Sequence, residues 1–262
     1  MPDNNSSLLH AGETLLLSVV VPVFNEEDNI VPLLTEIELG LDSLTHSYEV
    51  IFVDDASTDN TPKVLQEVLR TSPRVRTLRH LVNCGQSAAQ ASGFRIAKGS
   101  LIMTLDGDRQ NNPLDAHLLW AALKPDMACV CGVRRKRNDT RLKQFSSWAA
   151  NSFRRFITRD NFADVGCNFR LMRKDALEEM LIFNGMHRFI PIILRLQGHA
   201  VTEVMIDDRP RVAGTSKYGV GNRLWRGIRD CLAMRWYAAR AIPFNRTGPL
   251  ENRPGRHPRE SS

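Results

Sequence analysis

The most chemically loaded stretch of the chain is Asp106-Gly107-Asp108-Arg109-Gln110, which follows the apolar run Leu101 to Leu105. Two carboxylates one residue apart, where a strand gives way to a loop, can approach one hard divalent cation together, and Gly107 lets the backbone come close to a ligand. Mg²⁺ or Mn²⁺ held there would neutralise a diphosphate and help it leave. The same tripeptide is also common in solvated turns, so its context decides. Two other apolar runs end in comparable groups: Pro22-Val23-Phe24-Asn25-Glu26-Glu27 and Val53-Asp54-Asp55-Ala56-Ser57-Thr58-Asp59. Acidic side chains at three neighbouring strand ends repel one another unless something cationic or hydrogen-bond-donating lies between them. A nucleotide meets that need, because a carboxylate accepts from a base imide or ribose hydroxyls while a metal screens the rest.

These groups are spaced by an alternation of apolar patterns. Leu15 to Val23, Tyr48 to Val53, Val75 to Leu81, Leu101 to Leu105 and Met127 to Val133 predict strands; Glu26 to Leu44, Thr61 to Leu69 and Gln86 to Lys98 predict helices, the last closed by Gly99. Ser57, Thr58 and Asp59 offer caps for the second helix, and Pro62 suits its first turn. Such alternation predicts an α/β domain with a mostly parallel sheet, whose ligands bind at the carboxyl ends of the strands. With 262 residues, 42% of them hydrophobic and 24% charged, the chain has enough apolar material for one large core. No stretch approaches the ~20 consecutive apolar residues that span a bilayer.

The formal net charge is +6, which allows an anionic partner without choosing among nucleic acid, a phospholipid surface and a phosphorylated substrate. Nine basic residues against one acid, Asp139, fall between Arg134 and Arg159, and a second basic group runs from Arg209 to Arg240. The five cysteines form an odd set without paired spacing, and the N-terminus lacks a secretory pattern, so free thiols in a reducing, cytoplasmic setting are expected. Cys129-x-Cys131 fits two residues on one face of a buried strand better than a metal site, since no second Cys/His pair lies nearby. Trp120 and Trp148 are expected to serve packing alone.

Taken together, Pro22-Val-Phe-Asn-Glu26, Asp54-Asp-Ala-Ser-Thr-Asp59 and Asp106-Gly-Asp-Arg-Gln110 resemble the three N-terminal motifs of family 2 glycosyltransferases with the GT-A fold. Gly132 to Asp139, Ser147, Asn151, Asp164-Val-Gly166-Cys-Asn-Phe-Arg170, His187-Arg-Phe-Ile-Pro191 and Arg211 to Tyr218 are similar to the polyprenyl-phosphate group within that family. The resemblance covers about residues 16–240. It implies that Pro22, Phe24, Glu26, Val53, Asp55 and Gly107 hold the nucleotide-sugar donor, and that Asp106, Asp108 and Gln110 carry the metal, Mg²⁺ or Mn²⁺. Arg211 and Lys217 would close over the diphosphate, with Gly214 as hinge, and Arg134, Arg137 and Ser147 would clamp the phosphate of a polyprenyl monophosphate acceptor. Transfer would be a direct, inverting displacement. Asp139 and Asp164 lie nearest the acceptor region in motif order, and neither is assigned as a base.

Two departures from the family pattern stand out. Arg109 replaces the apolar residue or Ser of many relatives, which bears on the sugar pocket. Many relatives also continue into transmembrane helices, whereas here Leu224, Trp225, Ile228, Leu232, Trp236 and Ile242 interleave with Arg223, Arg226, Arg229, Arg235 and Arg240. That pattern fits a basic helix at an anionic membrane surface, or an amphipathic helix that simply packs. The expected organisation is a loose arm at 1–14, a catalytic domain at 15–222, the basic helical region at 223–242 and a disordered Pro/Gly/Arg-rich tail at 243–262, with the enzyme peripheral to the inner face of a membrane. A membrane-protein partner is the other means of attachment. The competing readings are a family 2 transferase acting on a soluble glycan or lipid-A-type acceptor, and a nonenzymatic basic module for nucleic acid or membrane. Strand-end carboxylates disfavour nucleic acid, since they would repel a polyanion.

Overall fold

The computed structural model describes residues 15–135, 152–207, 209 and 220–241, side chains of 220–226 excepted. Its elements in chain order are β1 (Leu17–Val23), α1 (Ile30–Leu41), β2 (Tyr48–Asp54), α2 (Thr61–Thr71), β3 (Val75–Arg79), α3 (Gln86–Ile96), β4 (Leu101–Thr104), α4 (Ala116–Ala122) and β5 (Met127–Arg134). There follow α5 (152–158), β6 (Arg170–Arg173), α6 (Asp175–Glu178), α7 (Ile190–Leu196), β7 (Ala200–Ile206) and α8 (Val220–Ala238). The strands form one sheet of seven in the order β3-β2-β1-β4-β6-β5-β7. Only β6 runs against its neighbours β4 and β5; the other pairings are parallel.

The continuous apolar runs follow from this layering. Helices cover both faces of the sheet, so alternate residues of one strand enter different cores. Val19, Val21 and Val23 of β1 join Leu33 and Ile37 of α1, Leu65 of α2 and Leu119 of α4, whereas Val20 joins Ala89 of α3, Ile193 of α7 and Met234 of α8. Trp120 packs beside the first core, as expected of it.

Several boundaries differ from the sequence expectation, each for a local reason. The first helix starts at Ile30 instead of Glu26, because Asn25 takes a left-handed backbone (φ 53°) and Asn29 N–H closes a turn on Glu26 O (2.9 Å). Gly99 does not close α3, which ends at Ile96; it lets the chain cross β1, where a Cβ would stand 2.6 Å from Leu17 C. The third strand stops at Arg79, and Leu81, expected inside it, is 99% exposed. Neither β6 nor β7 is predicted from sequence. The first carries a fully buried Arg170 and spans four residues, and the second is partly buried from Ala200 to Val204, with Thr202 and Glu203 interrupting its apolar residues. Neither forms the apolar run that marks the inner strands.

Candidate active site

Because six strands point one way, β1, β2, β4 and β5 deliver their carboxyl ends to one edge of the sheet. The chain leaves β1 toward β2 on one side and later returns to β4 on the other, so a crevice opens between neighbouring strand ends at this switch point. The reversed β6 has its amino end at the same edge, which carries the preceding loop, Asp164 to Phe169, into the crevice. Three non-glycine residues there, Asn25, Ala56 and Arg109, adopt left-handed φ values of 53°, 63° and 59°, one after each of β1, β2 and β4. Such backbone is sparsely populated and persists only where surrounding contacts hold it.

Those contacts are hydrogen bonds between the first two loops. Asn25 N–H donates to Ser57 Oγ (2.9 Å), Glu26 N–H to Thr61 Oγ1 (2.8 Å), Thr58 N–H to Asn25 Oδ1 (2.8 Å) and Asn60 N–H to Glu27 Oε2 (3.0 Å). Ser57 and Thr58 therefore stitch loops together and do not cap α2; Asp59 accepts from Thr61 N–H at 2.9 Å. Gly107 draws the third loop onto the first. A Cβ on it would stand 2.9 Å from Val23 Cγ1 and 3.2 Å from Pro22 O, so the close approach it permits is to this loop.

The expected repulsion among three acidic strand ends is confined to one of them. Asp54 pairs with Arg79 Nε at 3.2 Å and accepts from Ser57 N–H at 2.9 Å. Asp55 Oδ1 accepts from Cys84 N–H (2.9 Å) and lies 2.7 Å from His80 Nδ1, while Oδ2 accepts from Gly85 N–H (2.7 Å). A carboxylate offers about four lone-pair sites, so roughly one remains on Asp55 for a ligand. The Val53 side chain is fully buried in the second core, 3.3 Å from where a Gly93 Cβ would stand. Pro22, Phe24 and Glu26 are partly exposed at the crevice edge, and Glu26 Oε2 accepts from Asn29 Nδ2 (2.7 Å).

Asp106 is the strand-end acid on which that repulsion acts. Burial, then the neighbouring Asp108 carboxylate, pushes Asp106 up to about 6, opposed by Asn168 and the charges of Arg134 and Arg170. Two neutral amides hold Asp106 Oδ1: Gln86 Nε2 at 2.8 Å and Asn168 Nδ2 at 3.1 Å. Asn168 is in turn fixed by Gln90 Nε2 (2.5 Å) and by Thr104 Oγ1 on its carbonyl (2.5 Å). Sequence reasoning assigned no role to Gln86 or Asn168; the i, i+4 spacing of Gln86 and Gln90 on one helix was the signal that one face of α3 is polar. Gln110 N–H donates to Asp108 Oδ1 (3.2 Å). Carboxylate and amide oxygens are hard donors, so Asp106, Asp108 and Gln110 fit Mg²⁺ or Mn²⁺. Asp55, His80 and Cys84 also bring ligand atoms within 4.8 Å of one another, but that mixed O, N, S set suits a softer ion.

Arg109 turns away from the crevice. Its guanidinium bonds Glu36 Oε1 of α1 (2.5 Å), and Arg209 bonds Glu36 Oε2 (3.0 Å) while its N–H donates to Gln110 O (2.9 Å). The residue that departs from the family pattern thus serves a bridge from the third loop to α1. Arg134, at the end of β5, forks onto Asp164 with Nε–Oδ2 2.7 Å and an NH2–Oδ1 distance of 3.0 Å. Burial raises the Asp164 carboxyl, yet bonding to Arg134 outweighs it and leaves its pKa below the ordinary value. Arg137, Ser147, Arg211 and Lys217 lie outside the described residues, as do Asp139 and Trp148.

An acidic pair at the switch point of a mostly parallel sheet, beside two knitted loops, defines an α/β fold with its carboxylates gathered at the strand ends. The profile of Glycosyl transferase family 2 matches residues 18–181. The chain is 34% identical over 230 residues to the dodecaprenyl-phosphate galacturonate synthase of Rhizobium johnstonii, covering 86% of this chain and 68% of the relative. Identity is also 34% over 207 residues to the undecaprenyl-phosphate 4-deoxy-4-formamido-L-arabinose transferase of Aeromonas hydrophila, with coverages of 78% and 63%. The chain therefore spans about two thirds of the length of these relatives. It belongs to glycosyl transferase family 2 and is a glycosyltransferase. Glucosyl-3-phosphoglycerate synthase of Mycobacterium tuberculosis, crystallised with Mn²⁺, UDP and phosphoglyceric acid, superposes with a TM-score of 0.63 at 18% identity, over 85% of this chain and 78% of that one. A mannosyltransferase of Pyrobaculum calidifontis with GDP-mannose and Mn²⁺ gives 0.60 at 20% identity, over 89% and 65%. These two establish the GT-A fold.

Proposed function

We propose that this enzyme moves a sugar from a nucleoside diphosphate to a polyprenyl monophosphate at the inner face of a membrane. One observation carries the reading: a chain 34% identical to a dodecaprenyl-phosphate galacturonate synthase brings two carboxylates, Asp106 and Asp108, together at the switch point of its sheet, close enough that Asp108 helps raise the pKa of Asp106. Asp106, Asp108 and Gln110 would hold Mg²⁺ or Mn²⁺, which supplies neutralisation of the departing diphosphate. Pro22, Phe24, Glu26 and the remaining lone pair of Asp55 would take the nucleoside, with Arg211 and Lys217 over the diphosphate. Arg134, with Arg137 and Ser147, would receive the acceptor phosphate. Asp164 orients the Arg134 fork, so little side-chain order is lost when phosphate binds.

An acceptor phosphate is anionic at neutral pH and needs positioning more than a strong base. The lowered pKa of Asp164 agrees with this, since a carboxylate so stabilised is a weak proton acceptor. Attachment to an anionic surface is supported by α8. Cys231 and Met234 face the core, whereas Leu232 and Trp236 are 52% and 64% exposed beside Arg229 and Arg240. No helix among the described residues is long and apolar enough to cross a membrane, and a partner membrane protein is the competing anchor. A screen of radiolabelled UDP- and GDP-sugars, with and without undecaprenyl phosphate, tests the reading. Label entering the organic phase only with the lipid phosphate and a divalent cation supports it; label passing to a soluble glycan instead overturns the acceptor assignment.

A further inference from the structure

His187 opens the segment His187 to Pro191, to which the transfer reading assigns no task. Its imidazole Nδ1 lies 2.7 Å from the hydroxyl of Ser87, the second residue of α3. That hydroxyl also accepts from Gly185 N–H at 3.0 Å and from the N–H of His187 itself at 3.4 Å. A hydroxyl carries one proton and two lone pairs, so with both lone pairs taken its proton goes to Nδ1. The ring is thereby held as the tautomer with hydrogen on Nε2. His187 is partly exposed, and among the described residues nothing bonds Nε2. Burial, and then the charges of Arg188 and Arg170, push its pKa down to about 3, so the ring stays neutral at physiological pH.

The same turn of α3 reaches the acidic pair. Gln86, next to Ser87 in the chain, donates to Asp106 Oδ1 at 2.8 Å. Arg170, whose NH1 group donates to His187 O at 2.7 Å, is also among the charges acting on Asp106. The imidazole and the carboxylate are thus set by adjacent residues of one helix and share a buried guanidinium. A neutral N–H donor brings direction but no charge, whereas arginine, lysine and metal supply the cationic part of diphosphate recognition. Its chemistry suits a directional bond to an uncharged hydroxyl or to a ring carboxylate.

We propose that His187 reads the transferred sugar, donating from Nε2 to an oxygen substituent on it, and that Ser87 is the positioning residue that fixes the tautomer. The assignment rests on the nucleotide-sugar reading above. In protein labelled with ¹⁵N-histidine, the His187 ring should appear as neutral Nε2–H from pH 5.5 to 8. With Mg²⁺ present, the Nε2 resonance should move on adding whichever of UDP-glucose, UDP-galacturonate and GDP-mannose binds, and should stay in place with UDP or GDP. His187→Ala should raise KM for that nucleotide sugar ~10-fold, the worth of one hydrogen bond, while the Kd of the free diphosphate changes less than twofold. Ser87→Ala should act in the same direction, and Ser87→Thr should restore both KM and the tautomer. An Nδ1–H tautomer, an equal response to sugar nucleotide and free diphosphate, or equal weakening of both by His187→Ala would each overturn the inference. Failure of the wild-type protein to bind any nucleotide sugar would overturn the donor reading beneath it as well.

Discussion

Asp106 and Asp108 differ in what each contributes. Asp106 is held by Gln86 and Asn168, and its raised pKa records first its burial and then the second carboxylate nearby. Between its ordinary pKa of 3.8 and its folded value of about 6, the native protein holds a proton that the unfolded chain has lost. The group therefore opposes folding most above pH 6, and this opposition fades as pH falls toward 4. In metal-free protein at pH 7, Asp106→Asn should raise stability by on the order of 1–2 kcal/mol, because the amide keeps an oxygen for Gln86 and Asn168. Urea titrations at pH 7 and pH 4.5 check this; a gain equal at both pH values would point to some cause other than charge. Asp108→Asn should lower metal-dependent transfer at least ~10²-fold with the fold retained, as for loss of a main electrostatic stabiliser. Steady-state rates at saturating Mn²⁺ within a few-fold of the parent would remove Asp108 from the metal site.

Between elements, the loop from β3 to α3 has the clearest internal logic. Asp55 takes hydrogen bonds from two of its backbone N–H groups, Cys84 and Gly85, and from His80, and its carbonyl accepts from Asn83 Nδ2 (3.1 Å). One carboxylate at 4% exposure thus sets the path of six residues and holds Leu81 out in solvent. Asp55→Ala should cost about 2–4 kcal/mol, since two N–H groups lose their acceptor. Thermal unfolding measures that, and nucleotide calorimetry on the same variant separates it from a role toward the base. A variant as stable as the parent would show that the loop holds itself.

For the whole molecule, α8 joins the fold to its surroundings. One side supplies Cys231 and Met234 to the second core; the other presents Leu232 and Trp236, with the Arg240 guanidinium 5.8 Å from the Trp236 ring. Each Arg near an anionic surface contributes about 1 kcal/mol, weakened by salt, and the apolar side chains add burial at the headgroups. Leu232→Ser/Trp236→Ser should reduce co-sedimentation with anionic vesicles at low salt several-fold, while leaving transfer to a short-chain acceptor in detergent intact. Binding unchanged in that variant would favour attachment through a partner protein.

Much of this enzyme is legible in its sequence because inner strands covered on both faces write themselves as unbroken apolar runs, and three such runs end in Phe24-Asn25-Glu26, Asp54-Asp55 and Asp106-Gly107-Asp108. Local chemistry placed those groups at one edge of a parallel sheet, and with them the family. The reversed β6 was beyond that reading: four residues with a buried Arg170 carry no periodic signal, and strand direction is a property of pairing. Yet that reversal brings Asn168 to Asp106 and Asp164 to Arg134, contacts separated by 62 and 30 residues. Which partner each acid meets was likewise decided by tertiary contacts. A carboxylate next to a strand looks the same in sequence whether it meets backbone N–H groups of a distant loop, as Asp55 does, or side-chain amides beside a second carboxylate, as Asp106 does.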